Sequence, residues 1–149
     1  MAENVREVPP PVLLAALVCD TVILDAVTGK ATVVGIFDVI NAPTYPVRHD
    51  RLFVFCQLTN GRGRVAIRTN FVDLADDEKV LYENTVPGEF VDVRQVVNVI
   101  FAFGGLKFPH PGEYRVQVFA GTEFLGERRI ICRQIAAKPG DRTDEQSQS

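Results

Sequence analysis

The sequence predicts an all-β domain: an antiparallel two-sheet β-sandwich of about eight strands with Greek-key-like crossings. Apolar and polar residues alternate with a period of two in several segments, as a sheet with one buried face requires. Short turn sequences rich in glycine, asparagine and aspartate separate these segments. No stretch keeps the i, i+3, i+4, i+7 apolar spacing of a helix for long. Two packed sheets would bury the apolar sets that this alternation creates.

The alternation is clearest in two segments. In residues 64–74, Ile67 falls on the opposite side from Arg68, and in residues 113–120, Val116 falls opposite Arg115. Residues 12–17 are apolar on both parities and fit a strand or a short helix. The predicted strands are, in order, 13–24, 32–37, 52–59, 64–74, 79–86, 95–103, 113–120 and 125–134.

Turn chemistry joins these strands. Asn-Gly supplies the positive φ of a tight turn, so residues 60–63 predict a hairpin, and residues 27–30, 76–78 and 121–123 predict three more. Two longer connections, 38–50 and 104–112, are rich in proline and glycine and predict crossings between sheets.

The chain length of 149 residues fits one compact domain. The sandwich is predicted for residues 12–136, after a flexible polar lead at 1–11 and before a disordered polar tail at 137–149. The apolar run after the lead is far shorter than the ~20 residues of a membrane span, and no secretory signal precedes it. We therefore expect a cytoplasmic protein that does not enter a membrane.

The net charge of −3 argues against nucleic acid as a partner, because phosphate binding depends on a basic surplus. Cys19, Cys56 and Cys132 lie in apolar runs without metal-ligand spacing, which predicts reduced core thiols. The arginines fall where alternation places them on a solvent face, although they could also form an anion-binding stripe.

Over residues 14–135 the sequence resembles a family of small uncharacterised bacterial β-sandwich proteins with an immunoglobulin-like appearance. The segments that carry the resemblance are Leu17-Val18-Cys19-Asp20, Thr28-Gly29-Lys30, Gly35-Ile36-Phe37-Asp38 with Ile40-Asn41-Ala42, Phe108-Pro109 through Pro111-Gly112-Glu113-Tyr114, and Leu125-Gly126-Glu127. The resemblance implies the fold and a bacterial cytoplasmic setting, and it implies no catalytic residue.

No recognisable catalytic constellation is present, so we expect no enzyme, no metal and no cofactor. The only serines, Ser147 and Ser149, lie in the tail, and the phosphate-binding glycine motifs are missing. His49 and His110 are interpreted as exposed loop histidines, and a Cys56–His49 nucleophilic pair is disfavoured because burial suppresses thiol reactivity. The acidic cluster of residues 73 and 76–78 is interpreted as a solvated hairpin tip rather than a calcium site.

One polar cluster stands out near one end of the predicted sandwich. Asp20 interrupts an apolar strand, and Asp38 and Asn41 follow the second strand closely. These three acceptors are interpreted as a buried, hydrogen-bonded network, since buried polar groups are normally satisfied. Together with Arg48 and His49 they are also the candidate residues for a ligand site.

Apolar residues outnumber the positions that one inner face offers. The first strand is apolar on both parities, and so is the strand at 95–103. This surplus predicts an interface covered by the lead, by loops or by another copy of the chain. The candidate interface residues are Leu13, Ala15, Leu17, Val97, Val99, Phe101 and Phe103.

These observations support a non-enzymatic module that forms a homo-oligomer or binds a bacterial protein partner through apolar strand faces. The alternative is a small-ligand or anion-binding protein, or a weak hydrolase, that uses the polar cluster. A pocket lined by that cluster would favour the alternative.

Overall fold

The computed structural model describes residues 9–137, and within that range the chain is a two-sheet β-sandwich without an α-helix. The predicted lead and tail, with both serines, fall almost wholly outside the described residues. The strands are β1 Val12–Leu24, β2 Ala31–Ile36, β3 Val39–Ala42, β4 Val47–Thr59, β5 Gly63–Asp73, β6 Lys79–Phe90, β7 Val97–Phe108, β8 Gly112–Ala120 and β9 Glu123–Gln134. One short 3-10 turn, Leu74–Asp76, follows β5.

The two sheets have different strand orders. The four-stranded sheet runs β2-β1-β4-β7, and the five-stranded sheet runs β3-β9-β8-β5-β6. Every neighbouring pair is antiparallel except β3 and β9, which are parallel. The predicted all-β sandwich is therefore confirmed, with one strand more than predicted.

The core lies between the inner faces of the two sheets. Alternate residues of β4, from Leu52 to Leu58, are fully buried, as period two requires. Aromatic side chains join the sheets, since the Phe71 ring meets the Phe103 ring edge-on with centroids 4.9 Å apart. Phe108 meets Tyr114 in the same way at 5.1 Å. Such edge-to-face contacts stabilise a core beyond the burial of their area.

The hairpin predicted at residues 60–63 is wrong, although its turn chemistry is right. Asn60 and Gly63 have φ values of 62° and 65°. However, β4 and β5 belong to different sheets, so this turn carries the chain across the sandwich. A Cβ on Gly61 would collide with the Phe90 ring, so the turn packs closely on the end of β6. Positive φ reverses a chain whether or not the flanking strands pair.

The other three predicted turns join paired strands, β1 to β2, β5 to β6 and β8 to β9. The two predicted crossings are largely strand. Residues 38–50 contain β3 and the start of β4, and residues 104–108 complete β7. The sequence predicts loops here because the segments are rich in glycine and proline, but these residues also occur at bulges and on edge strands.

Candidate functional site

A fork in the four-stranded sheet opens a pocket at one end of the sandwich. Strand β1 pairs with β4 up to Cys19 opposite Phe53, and beyond that point it pairs with β2 alone. Strand β4 continues in the other direction with β7, down to Val47 opposite Phe108. The β1–β2 pair and the β4–β7 pair, which we call the two ribbons, therefore separate past Cys19. The space between them, which we call the fork pocket, is bordered by β3 of the other sheet.

A change of face in β4 turns His49 inward beside this space. Leu52 pairs with Phe103 and both are buried, yet three residues away His49 pairs with Leu106 and both are buried too. A spacing of three breaks the period of two, so both strands reverse their faces between these pairs. The opposite strand carries Gly105 there, with φ of 63°, which glycine adopts without strain.

The pocket between the ribbons has a volume of about 540 Å³. Four of the five predicted ligand residues line it: Asp20, Asn41, Arg48 and His49. Asp38 does not, although it lies on the same crossing. Apolar side chains supply much of the remaining wall, among them Ile36, Phe37, Val39, Ile40, Val47 and Ile135.

The predicted buried network of Asp20, Asp38 and Asn41 is wrong, because all three residues are exposed. Asp20 follows the last β1–β4 pair, so no strand covers its side chain on that side. Its carboxylate lies against Gly35, where a Cβ would collide with it. Gly35 has φ of 71°, a second reason for glycine at this position.

The charged side chains Arg48 and Asp20 both line the pocket, but they differ in whether an oppositely charged group pairs with them. The Arg48 guanidinium is 3.0 Å from the Asp50 carboxylate and passes over Gly105, 3.1 Å from where a Cβ would stand. Among the side chains of residues 9–137, no hydrogen bond or ion pair engages the Asp20 carboxylate. The pocket therefore presents one uncompensated acceptor and one paired cation.

His49 is a buried pocket residue rather than the exposed loop histidine that the sequence predicted; it is 7% exposed. Its ring lies beside the Phe37 ring, with centroids 5.3 Å apart. Burial lowers the pKa of His49, against the opposing effects of the Asp20 and Asp50 charges. Its imidazole is therefore neutral at pH 7, with one donor and one acceptor nitrogen.

His110 lies in the connection between β7 and β8, as the sequence predicts, and its side chain is 36% exposed, but its ring contacts a buried acid. His110 Nε2 is 2.7 Å from Asp73 Oδ2, and the Asp73 side chain is only 2% exposed. Asp73 was assigned to a solvated hairpin tip, but it ends β5 and its other oxygen accepts a hydrogen bond from Ala75 N. Hydrogen bonds to the Pro111 carbonyl and to Asp73 raise the pKa of His110. The pair joins the end of β5 to the connection before β8, 37 residues further along the chain, a proximity that no local pattern reveals.

The cysteines do not contribute to the pocket. All three are free and buried, as the sequence predicts. Burial raises the pKa of Cys56 to about 12, which suppresses its reactivity. Cys56 and His49 lie seven residues apart on β4, about 23 Å, so they form no nucleophilic pair. Within residues 9–137, no three His, Cys, Asp or Glu side chains are grouped to hold a metal ion.

The candidate interface residues divide between two faces. Val99, Phe101 and Phe103 belong to the core, so their assignment to an outer surface is wrong. Leu13 and Val97 also pack against the core from its margin. Only Ala15 and Leu17 pair with outward-facing residues of β4, namely Gln57 and Phe55. On β7, odd residues face inward because they oppose the even residues of β4.

In the part of the chain that is described, no helix is long and apolar enough to cross a bilayer. No protein of curated function matches the sequence. Several solved structures contain a similar arrangement at low identity. A β-glucosidase from Listeria innocua, solved with glucose, is 13% identical and has a TM-score of 0.43, over 67% of this chain and 15% of that chain.

An alkylpurine DNA glycosylase from Pseudomonas fluorescens is 12% identical over 79% of this chain and 30% of that chain, with a TM-score of 0.41. An immunoglobulin-like protein from Pseudomonas aeruginosa is 13% identical over 85% of this chain and 99% of that chain, with a TM-score of 0.39. This chain spans only a small part of the β-glucosidase and of the glycosylase. Residues 14–133 match the family of unknown function DUF6941, and the chain therefore belongs to that family.

Proposed function

We propose that this domain binds a small organic molecule bearing an amine in the fork pocket, without transforming it. The observation that carries the proposal is the state of the two charged side chains there. Asp20 has no partner among the described side chains, whereas Arg48 is already paired with Asp50. An ammonium or N–H group is the complement of a free carboxylate, and its hydrogen bond to a charged acceptor is a strong one.

The walls of the pocket fit the rest of such a molecule. Phe37, Ile40 and Val47 offer apolar surface, and Asn41 offers an amide that both donates and accepts. Small-molecule sites generally combine an apolar lining with a few polar groups that fix orientation. A volume of about 540 Å³ lies within the usual range of such sites, ~300–1,000 Å³.

The charge distribution of the pocket favours a small cationic ligand over the anion that the sequence left open as an alternative. An anion would have to compete with Asp50 for the Arg48 guanidinium and would face the Asp20 carboxylate. The neutral state of His49 adds no positive charge at pH 7. These points support an amine over an anion, and the burial of the three thiols supports binding over nucleophilic catalysis.

A fragment library tests the proposal with the full chain. Primary and secondary amines of drug-fragment size are screened by NMR, each beside the alcohol or carboxylate of the same carbon skeleton. We expect amines alone to shift the resonances of Asp20, Asn41 and His49. The loss of a charge-assisted hydrogen bond, about 1.5–3 kcal/mol, corresponds to at least tenfold weaker binding in Asp20→Asn.

Asp38→Asn is the matched control, because Asp38 is an exposed acid between two lining residues, Phe37 and Val39, but is not itself part of the pocket lining. It should bind each amine as the unmodified chain does. Preference for the carboxylate series, or equal losses in the two variants, would overturn the proposal.

A further inference from the structure

The outer edge of β3 carries backbone groups that point into the fork pocket. Strand β3 is the last strand of the five-stranded sheet and pairs there with β9. On that side the carbonyls of Asp38 and Ala42 accept hydrogen bonds from the segment that contains β9. The N–H and C=O groups of one strand residue point the same way, and successive residues alternate. Val39 and Asn41 therefore direct their N–H and C=O groups away from β9.

The backbone groups of Val39 and Asn41 form what we call the free edge of β3. No hydrogen bond within residues 9–137 engages these two N–H and two C=O groups. Both residues line the fork pocket, where Asn41 is exposed and Val39 is partly exposed. Backbone donors and acceptors are obligatory hydrogen-bonding groups, so the free edge bonds either to water or to a ligand.

A second strand edge without a partner borders the same pocket. Strand β4 pairs with β7 from Val47 onward, but it pairs with β1 only from Phe53 onward. Residues 47–52 therefore have a strand on one side alone in the part of the chain that is described, and the first three of them line the pocket. A pocket bordered by strand edges suits an extended chain, whose backbone pairs with such an edge as an added strand.

We propose that the amine bound in the fork pocket is the α-ammonium group of a polypeptide, whose first residues pair with the free edge of β3. This inference rests on the proposed function and adds the class of molecule that carries the amine. Val39 and Asn41 are two strand rises apart, about 7 Å, so about three residues of the peptide are enough to pair with both. Asp20 then receives the α-ammonium group at the same pocket.

The charges of the pocket favour the amino-terminal end of a peptide over its other parts. A carboxyl-terminal end would face the Asp20 carboxylate and would compete with Asp50 for the Arg48 guanidinium. The backbone of an internal segment brings no charge for Asp20. The amino-terminal end joins a cation directly to a backbone that alternates donors and acceptors, and it therefore matches both the free carboxylate and the free edge.

Alanine peptides test the inference on the full chain by NMR titration. Tetra-alanine amide is compared with alaninamide, which has the same α-amine but no chain to pair. We expect the tetrapeptide to bind at least tenfold more tightly, because it adds several backbone hydrogen bonds. Two further tetrapeptides carry an N-methyl group on the second or on the third residue. Only one of these two N–H groups faces β3, so one methyl group should weaken binding about tenfold and the other should have little effect.

Asn41→Pro tests the free edge from the side of the protein. Proline removes an N–H group that faces away from β9, so the β3–β9 ladder is kept, and Ile40 before it is already extended. Asn41→Ala is the matched control, because it loses the same side chain and keeps the N–H group. We expect Asn41→Pro to bind the tetrapeptide about fivefold more weakly than Asn41→Ala does, while both bind alaninamide alike. If Asn41→Pro fails to fold, the methylated peptides decide the question on the unmodified chain.

The outcomes separate this inference from the proposed function. Equal binding of tetra-alanine amide and alaninamide, or equal losses for the two methylated peptides, would overturn the strand pairing and leave the amine site intact. N-acetyl tetra-alanine amide lacks the α-ammonium group and should bind at least tenfold more weakly than the free peptide. Equal binding of the acetylated peptide would overturn the proposed function and the amino-terminal part of this inference together.

Discussion

The outer faces of the two sheets differ, although their inner faces are alike. On the five-stranded sheet, Arg115 lies 2.7 Å from Glu127 and 3.0 Å from Glu113, and Arg129 lies 3.0 Å from Glu113. On the four-stranded sheet, the corresponding area carries Leu17, Phe53 and Ile100, which are partly exposed, around the buried Phe55. Both inner faces are apolar because both bury the same core. The outer faces therefore differ in charge: one carries paired ions, and the other carries uncharged side chains.

An arginine on the outer face of the five-stranded sheet also contacts an aromatic ring. The Arg68 guanidinium lies over the Phe119 ring at 4.5 Å from the centroid and 3.5 Å from Glu83. Such stacking lets a charged residue cover an aromatic ring that would otherwise face water. The sequence interpretation of the arginines as a solvent face agrees with these ion pairs for Arg64, Arg68 and Arg129, whose charges are matched by neighbouring acids.

The largest loss of stability should come from residues on the inward face of β7. Phe101→Ala removes a fully buried ring, so we expect the free energy of unfolding to fall by about 3–5 kcal/mol. Ile100→Ala on the outer face should cost far less, because Ile100 is only partly buried. Urea denaturation at low micromolar concentration measures both. Equal costs would mean that the two faces of this sheet are assigned wrongly.

A smaller effect is expected where the five-stranded sheet buries the carboxyl group of Asp73. His110→Ala removes the partner of Asp73, and a buried acceptor left without its partner costs about 1–3 kcal/mol. The pKa of His110 is raised in the folded state, so its contribution is complete below the unfolded pKa of about 6.5 and is lost as the pH rises through the folded value. The cost should thus be larger at pH 6 than at pH 9. A pH-independent cost would contradict the ion pair.

His49, on the four-stranded sheet, should respond to pH with the opposite sign. Its pKa is lowered by burial, so its stabilising contribution is present above pH 6.5 and is lost as the pH falls toward the folded value. Relative to His49→Gln, the unmodified chain should lose at most about 1.4 kcal/mol per pH unit over that interval. NMR titration of the two imidazoles gives the direct measurement. A pKa for His49 above that of His110 would reverse this assignment.

The smallest effect should come from the charged outer face. Arg115→Met breaks contacts with Glu113 and Glu127, but these groups are solvated and surface pairs contribute little. We expect a small shift of the urea midpoint at low ionic strength, and a smaller one in 0.5 M salt because of screening. An effect that persists undiminished in salt would show that packing of the Arg115 stem, rather than its charge, stabilises this face.

Alternation and turn residues were enough to predict the sandwich, because burial on one face of a strand leaves a local imprint. Alternation did not predict strands where a strand changes face or lies at the edge of a sheet. Strand β3 has four residues and pairs in parallel with β9, so its partner is about ninety residues away in the chain. Residues 104–105 looked like a loop because their glycines permit the reversal of face inside β7.

The sequence predicted which residues form the candidate site, but not which of them are buried. Asp20, Asn41, Arg48 and His49 were selected as polar residues near one end of the sandwich, and the structure places them around one pocket. Their exposure was predicted wrongly, with Asp20 assigned to the interior and His49 to the solvent. Burial depends on which strands continue past a given residue, and the fork between β1 and β4 is not a local property of either strand.

The sequence by itself determined the class of fold, the reduced thiols and the residue types available for binding. These depend on side-chain chemistry and on a period of two, both of which act over a few residues. The tertiary structure decided which parity of each strand faces the core, which acid is buried and which cation is already paired. Those properties arise from contacts between segments far apart in the chain, such as Asp73 with His110, and only packing brings such segments together.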